Sequence, residues 1–153
     1  MFDWDTMCEG LAASRPWWEP GSGHGYHVNT FGFLAGEPVR RRTGSTFGDA
    51  LRARMTGPRD LDLHVGLDAA DLARVADIDA PPRVTEQSAD PVVLTGDERE
   101  QMMLHTYFNP PGLSGIGVVN TTAWRRSSIP STNGHATARA VADFYASLLP
   151  GAP

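Results

Sequence analysis

The chain has 153 residues, a formal net charge of −5 and 41% hydrophobic residues, which is the size of one domain able to bury a core. All 13 basic residues are arginine, and the acidic balance argues against nucleic acid, whose non-specific binding needs cations to neutralise phosphates. The first twenty residues open acidic without a continuous apolar run, and no later stretch approaches about 18 apolar residues, so neither signal peptide nor membrane span is expected and the expected location is cytoplasmic.

Residues 3–14 predict a helix, capped by Asp3 or Asp5, with Met7, Leu11 and either Trp4 or Cys8 on one face. A lone cysteine at that spacing reads as a small core residue. The helix stops at Arg15-Pro16, and the loop PWWEPGSGHG follows. From His27 to Thr43-Gly44 a second helix is expected, with Val28, Phe31, Leu34 and Ala35 facing inward. Pro38 conflicts with it, because its ring meets the carbonyl four residues back and it has no N–H, a cost of about 3 kcal/mol. A kink or break is therefore expected near Gly36-Glu37. The run Arg40-Arg41-Arg42 suits the end of that helix, where cations complement the dipole.

STFGDALRARM predicts a third helix, with Thr46 as cap, Asp49 three residues on and a Phe47, Leu51, Met55 stripe. LDLHVGL alternates apolar and polar residues over 61–67 and reads as a short strand. A short helix is possible over 68–76, a proline-rich connector spans 78–95, and a helix begins after Gly96. NPPGLSGIGVVN is too rich in glycine and proline for regular structure. NGHATARAVADFYASLL has the clearest amphipathic pattern, with Ala138, Val141, Tyr145 and Leu148 on one face and Phe144 beside them. The fold class is mainly α, with five or six helices, long loops and little sheet.

Few familiar chemistries fit. GLSGIG around Ser114 lacks the closing glycine of a nucleophile elbow and its strand–turn–helix setting. A Ser-x-x-Lys nucleophile is excluded because the chain contains no lysine. GSGHG has neither the preceding strand nor the lysine of a phosphate-binding loop. His24 and His27 sit three apart and could begin a zinc site completed by His64, His105 or His135, although no cysteine or carboxylate accompanies them locally. Tyr26, between those histidines, reads on residue chemistry alone as a half-buried loop aromatic packed on Trp17 or Trp18.

The run WWEPGSGHGYHVNTFGFLAGEPVRRRTG resembles the second motif region of the serine β-lactamase and penicillin-binding-protein-like family, notably its class C and esterase branch. There a Pro-Gly turn leads to a catalytic tyrosine that opens a helix ending in Thr-Gly, and Glu19-Pro20-Gly21, Tyr26 and Thr43-Gly44 match in order. IPSTNGHATARAVADFY resembles a later pocket-lining turn and helix of the same family. The resemblance implies the helical subdomain portion of an α/β fold, Tyr26 as catalytic acid/base, and substrate contacts at His27, Asn29, Asn133, Gly134 and His135.

It further implies a small-molecule acyl substrate, an ester more than a lactam because Asn29 stands one place later than in Tyr-x-Asn, and no cofactor. The serine and lysine motif would precede Met1 and a Lys-Thr-Gly-like strand would follow Pro153. The expectation is thus one partial domain over 1–153, whose partners are the N- and C-terminal enzyme segments and which is inactive alone. The alternative is a non-catalytic helical binding or interaction domain derived from the same scaffold.

Overall fold

The computed structural model describes residues 3–79, 96–113 and 115–151. Ser114 and most of the proline-rich connector lie outside them. Helix α1, Trp4–Ala13, is capped by the Asp3 carboxylate, which accepts from the Thr6 amide at 2.8 Å. Helix α2, Phe31–Thr43, ends on Gly44 in the left-handed region at φ 70°, the conformation glycine adopts without a Cβ penalty.

The second helix departs from expectation in three ways. It starts at Phe31 rather than His27, so Val28 is outside it. It continues through Pro38 as one element. Its buried residues are Gly32, Phe33 and Gly36, whereas Phe31 and Leu34 are exposed and Ala35 faces solvent with them.

The reason is close approach. A Cβ on Gly36 would lie 2.6 Å from Cη2 of Trp4, and the Trp4 and Phe33 ring centroids are 5.0 Å apart. The two glycines let α1 and the 130–131 turn come onto the helix backbone on the Phe33 side, and the apolar stripe read from spacing falls outside. Pro38 is exposed, as is Leu34, whose carbonyl the proline leaves without its helical N–H donor, so water can serve that group.

Helix α3, Phe47–Leu51, opens on Thr46, whose hydroxyl accepts from the Asp49 amide at 3.1 Å. It passes into a wider turn over Arg52–Thr56 and a tight turn over Gly57–Arg59. Strand β1, Leu63–Val65, pairs antiparallel with β2, Gly134–Ala136, placing His64 opposite His135. The short α4, Ala69–Leu72, is capped by Asp68, and α5, Glu98–Phe108, by Asp97.

The stretch expected to be irregular holds a short helix α6, Ile116–Val119, and α7, Thr122–Arg126, follows. Helix α8 is Ala138–Ala146. Its apolar stripe is not a buried face here: Val141, Tyr145 and Leu148 are exposed, and Ala140 is the buried residue.

Phe33, Leu113, Trp124 and Ile129 form the main core, with Trp4, Met7, Cys8, Leu11, Val118 and Val119 packed on it. Burying each large side chain contributes about 2 kcal/mol by area. Trp124 also satisfies its indole N–H, which donates to the Leu113 carbonyl at 2.7 Å. Glu37 joins the first two helices: its carboxylate accepts from Trp4 Nε1 at 2.6 Å, Arg40 Nε at 2.8 Å and Arg41 Nε at 2.8 Å. Those donors, Arg40 foremost, hold the Glu37 carboxyl far below the usual carboxylate range.

Candidate active site

The approach to Tyr26 is a reversal of the chain. Pro20 and Gly21 sit at the centre of a turn in which the Ser22 amide donates to the Glu19 carbonyl at 2.9 Å. Gly21 has φ 89°, and Ser22 Oγ donates to the same carbonyl at 2.7 Å. A proline followed by a positive-φ glycine suits this turn geometry. The reversal lays Gly23 and Gly25 against the Trp18 indole: a Cβ on Gly25 would fall 2.6 Å from Cη2, and one on Gly23 would fall 3.2 Å from Cδ1.

Tyr26 follows directly and is 73% exposed. His27 is exposed as well, and its Nδ1 lies 3.1 Å from the Gly25 carbonyl. Asn29 is buried at 1% exposure, and neither atom of its side-chain amide has a partner among the described residues. Its backbone carbonyl accepts from Ser131 Oγ at 2.6 Å. This bond joins the tyrosine segment to the turn that carries Asn133.

Asn133 is fully buried and serves that turn. Its Oδ1 accepts from the Ile129 amide at 2.9 Å, and Nδ2 donates to the carbonyls of Trp124 and Ser127. Gly134 is exposed at the start of β2. His135 is half-buried, edge-on to Trp124 with ring centroids 5.8 Å apart, and burial is the main cause lowering its pKa below the ordinary imidazole value. The expected site residues thus fall on two adjoining segments. Among the described residues, no hydrogen bond joins Tyr26 to Asn133, Gly134 or His135.

Sequence reading missed a charged cluster on the ribbon. His64 lies with Nε2 3.0 Å from Asp62 and Nδ1 3.3 Å from Asp71, and Arg74 reaches Asp62 at 2.7 Å and Asp71 at 3.0 Å. Arg74, then His64, hold the Asp62 carboxyl far below the usual range. The available signals were Asp62-x-His64 on one strand face and the Asp71–Arg74 spacing of one helical turn.

Among the described residues, Asp62, His64 and Asp71 are the one group whose ligand atoms converge as a metal site would need, and His24 and His27 do not belong to it. The Arg74 guanidinium already occupies both carboxylates, so the arrangement is a clamp between β1 and the α4 region. A cavity of about 370 Å³ opens elsewhere, between α1 and α2, lined by Cys8, Leu11, Phe33, Leu34, Glu37 and Arg41 among others. It includes none of the expected site residues.

A helical assembly with a small ribbon and a tyrosine presented ahead of α2 is matched by the sequence model of the Beta-lactamase family over residues 1–152. The chain belongs to that family. It is 32% identical to the esterase/β-lactamase LipL of Mycobacterium tuberculosis, a match covering 99% of this chain and 35% of LipL.

Two solved structures share its fold. One is a penicillin-binding-protein homologue from Caulobacter crescentus, 40% identical, with a TM-score of 0.72 over 96% of this chain and 36% of that one. The other is EstA from Arthrobacter nitroguajacolicus Rue61a, 25% identical, with a TM-score of 0.76 over 99% of this chain and 38% of that one. The chain therefore spans little more than a third of each relative. No helix among the described residues is long and apolar enough to cross a membrane.

Proposed function

We propose that residues 1–153 form one partial domain, the tyrosine-bearing helical part of a serine hydrolase acting on small acyl substrates, with Tyr26 as general acid/base. The observation that carries this reading is the exposed ring of Tyr26, delivered straight from a pinned glycine segment to the threshold of α2. A phenol in water titrates near pH ~10, so it needs a neighbouring cation to act as a base at neutrality. Arginine supplies charge but does not deprotonate, and the chain has no lysine.

In this reading a serine from another segment attacks the acyl carbon, its proton passes to the tyrosine–lysine pair, and Tyr26 returns a proton to the leaving alcohol. His27, Gly134 and His135 are proposed to border the substrate, while Asn29 and Asn133 shape the segments that do so. Burial of the Asn29 amide supports an ester over a lactam, because that group is withdrawn from solvent. The match to LipL, an esterase/β-lactamase by name, supports the acyl-hydrolase class that embraces both bonds.

The isolated 153-residue chain should hydrolyse p-nitrophenyl butyrate and nitrocefin at the buffer rate. A serine-dependent burst from it contradicts the reading. A second reading, a non-catalytic interaction domain, draws on the chain's own core of Phe33, Leu113, Trp124 and Ile129. Strong dye binding to the exposed Val141 and Tyr145 of α8 and to Leu148 just beyond it would favour the enzyme part, whereas a cooperative melt without dye binding would favour the interaction domain.

A further inference from the structure

We propose that Trp18 is a positioning residue for Tyr26. The segment from Gly21 to Gly25 contains three glycines in five residues, and glycine has the widest backbone freedom of any residue. Left to itself, such a segment would let the phenol sample many positions. Two contacts remove that freedom.

The Glu19–Ser22 turn folds the chain back on itself, and the indole then lies along the returning backbone. Its five-membered ring meets Gly23, where a Cβ would sit 3.2 Å from Cδ1 and 3.3 Å from Cγ and Nε1. Its six-membered ring meets Gly25, where a Cβ would sit 2.6 Å from Cη2. Any side chain at Gly25 would push the indole away. Glycine at both places thus allows a flat ring to hold the residue immediately before Tyr26, while the Ser131 bond to Asn29 holds the third residue after it.

Tyr26 itself makes no hydrogen bond that fixes it among the described residues, so its orientation is inherited from these two anchors. Proton transfer demands placement within hydrogen-bond reach, which gives the Trp18 contact its role. The proposal rests on the reading of Tyr26 as the proton-transfer group.

The test is NMR of the 153-residue chain, comparing the natural sequence with Trp18→Ala, Trp18→Phe and Gly25→Ala. In the natural chain the α-protons of Gly23 and Gly25 should be displaced by the indole ring current, and the Tyr26 amide should show an order parameter of about 0.85. Trp18→Ala should return the glycine signals to random-coil values and drop the Tyr26 order parameter below about 0.6, while Tyr107 and Tyr145 stay unchanged. Trp18→Phe should restore most of the order.

Gly25→Ala, which keeps the indole but forces it off the backbone, should reproduce the Trp18→Ala result and covers the case in which that variant folds poorly. A Tyr26 order parameter that stays near its natural value when the glycine shifts collapse overturns the proposal, as does the absence of ring-current shifts in the natural chain. None of these signals reads hydrolysis, so failure of the proton-transfer role for Tyr26 would leave them unchanged.

Discussion

The hydroxyl of Ser131 donates a 2.6 Å hydrogen bond to the backbone carbonyl of Asn29, across 102 positions of sequence. Beside it, a Cβ on Gly32 would fall 2.5 Å from the Ser131 amide nitrogen and 2.9 Å from its hydroxyl oxygen. The start of α2 and the turn before β2 are thus in contact at backbone level.

Gly32→Ala should destabilise the chain by about 1–3 kcal/mol, because the backbone of Ser131 cannot move aside as a flexible side chain would. Alanine's helix propensity opposes this by at most about 1 kcal/mol, so the clash decides the sign. Ser131→Ala should cost about 1 kcal/mol through the lost hydrogen bond. Urea denaturation of both variants measures this, and a stabilised Gly32→Ala would show that the two segments do not touch.

Asn133→Ala should weaken folding more than any local effect on binding would suggest. It strips the partner from the Ile129 amide and from the Ser127 carbonyl, while the Trp124 carbonyl keeps the Ser127 amide, and each buried group left unpaired costs about 1–3 kcal/mol. Denaturant titration should show a loss of roughly 3 kcal/mol. A variant as stable as the natural chain would return Asn133 to a purely substrate-facing role.

Acid stability should depend on Glu37. Its pKa in the folded chain is depressed by Arg40, Arg41 and Trp4, so the unfolded state binds the proton more tightly. The stabilisation is present above the unfolded value of about 4.3 and is lost as pH falls further toward the folded value. Asp62 behaves in the same direction through Arg74 and His64. Melts of Glu37→Gln should be lower at neutral pH and should fall less steeply between about pH 5 and pH 2 than those of the natural chain. An unchanged slope would mean that the carboxylate is not paired in solution.

Local signals in the sequence were reliable where one residue satisfies its own neighbours. Asp3, Thr46 and the Gly44 stop mark helix ends through bonds spanning three or four residues, and these are written in the spacing itself. The buried face of α2 was not legible, because it depends on which partner reaches the helix, and Trp4 and Ser131 approach the side occupied by glycines. The α8 stripe was legible as amphipathic, but its burial depends on surfaces that a sequence pattern does not name.

The site was legible in the same divided way. Tyr26 stood out by its setting in a Pro-Gly to Thr-Gly frame, and the structure leaves it exposed. The burial of Asn29 and Asn133 was not legible, since both are set by contacts with the 124–133 segment and with Ser131. The Asp62–His64–Asp71–Arg74 clamp was also missed, because it forms only when β1 and the α4 region meet.

The central claim, that Tyr26 moves the proton, is tested most directly by grafting residues 1–153 into LipL in place of the region they match and measuring p-nitrophenyl butyrate hydrolysis with and without Tyr26→Phe. The account predicts an active graft whose kcat falls about 10²- to 10⁴-fold on Tyr26→Phe with KM little changed, the range expected when a general acid/base is removed. A Tyr26→Phe graft that keeps its kcat to within about twofold would contradict it.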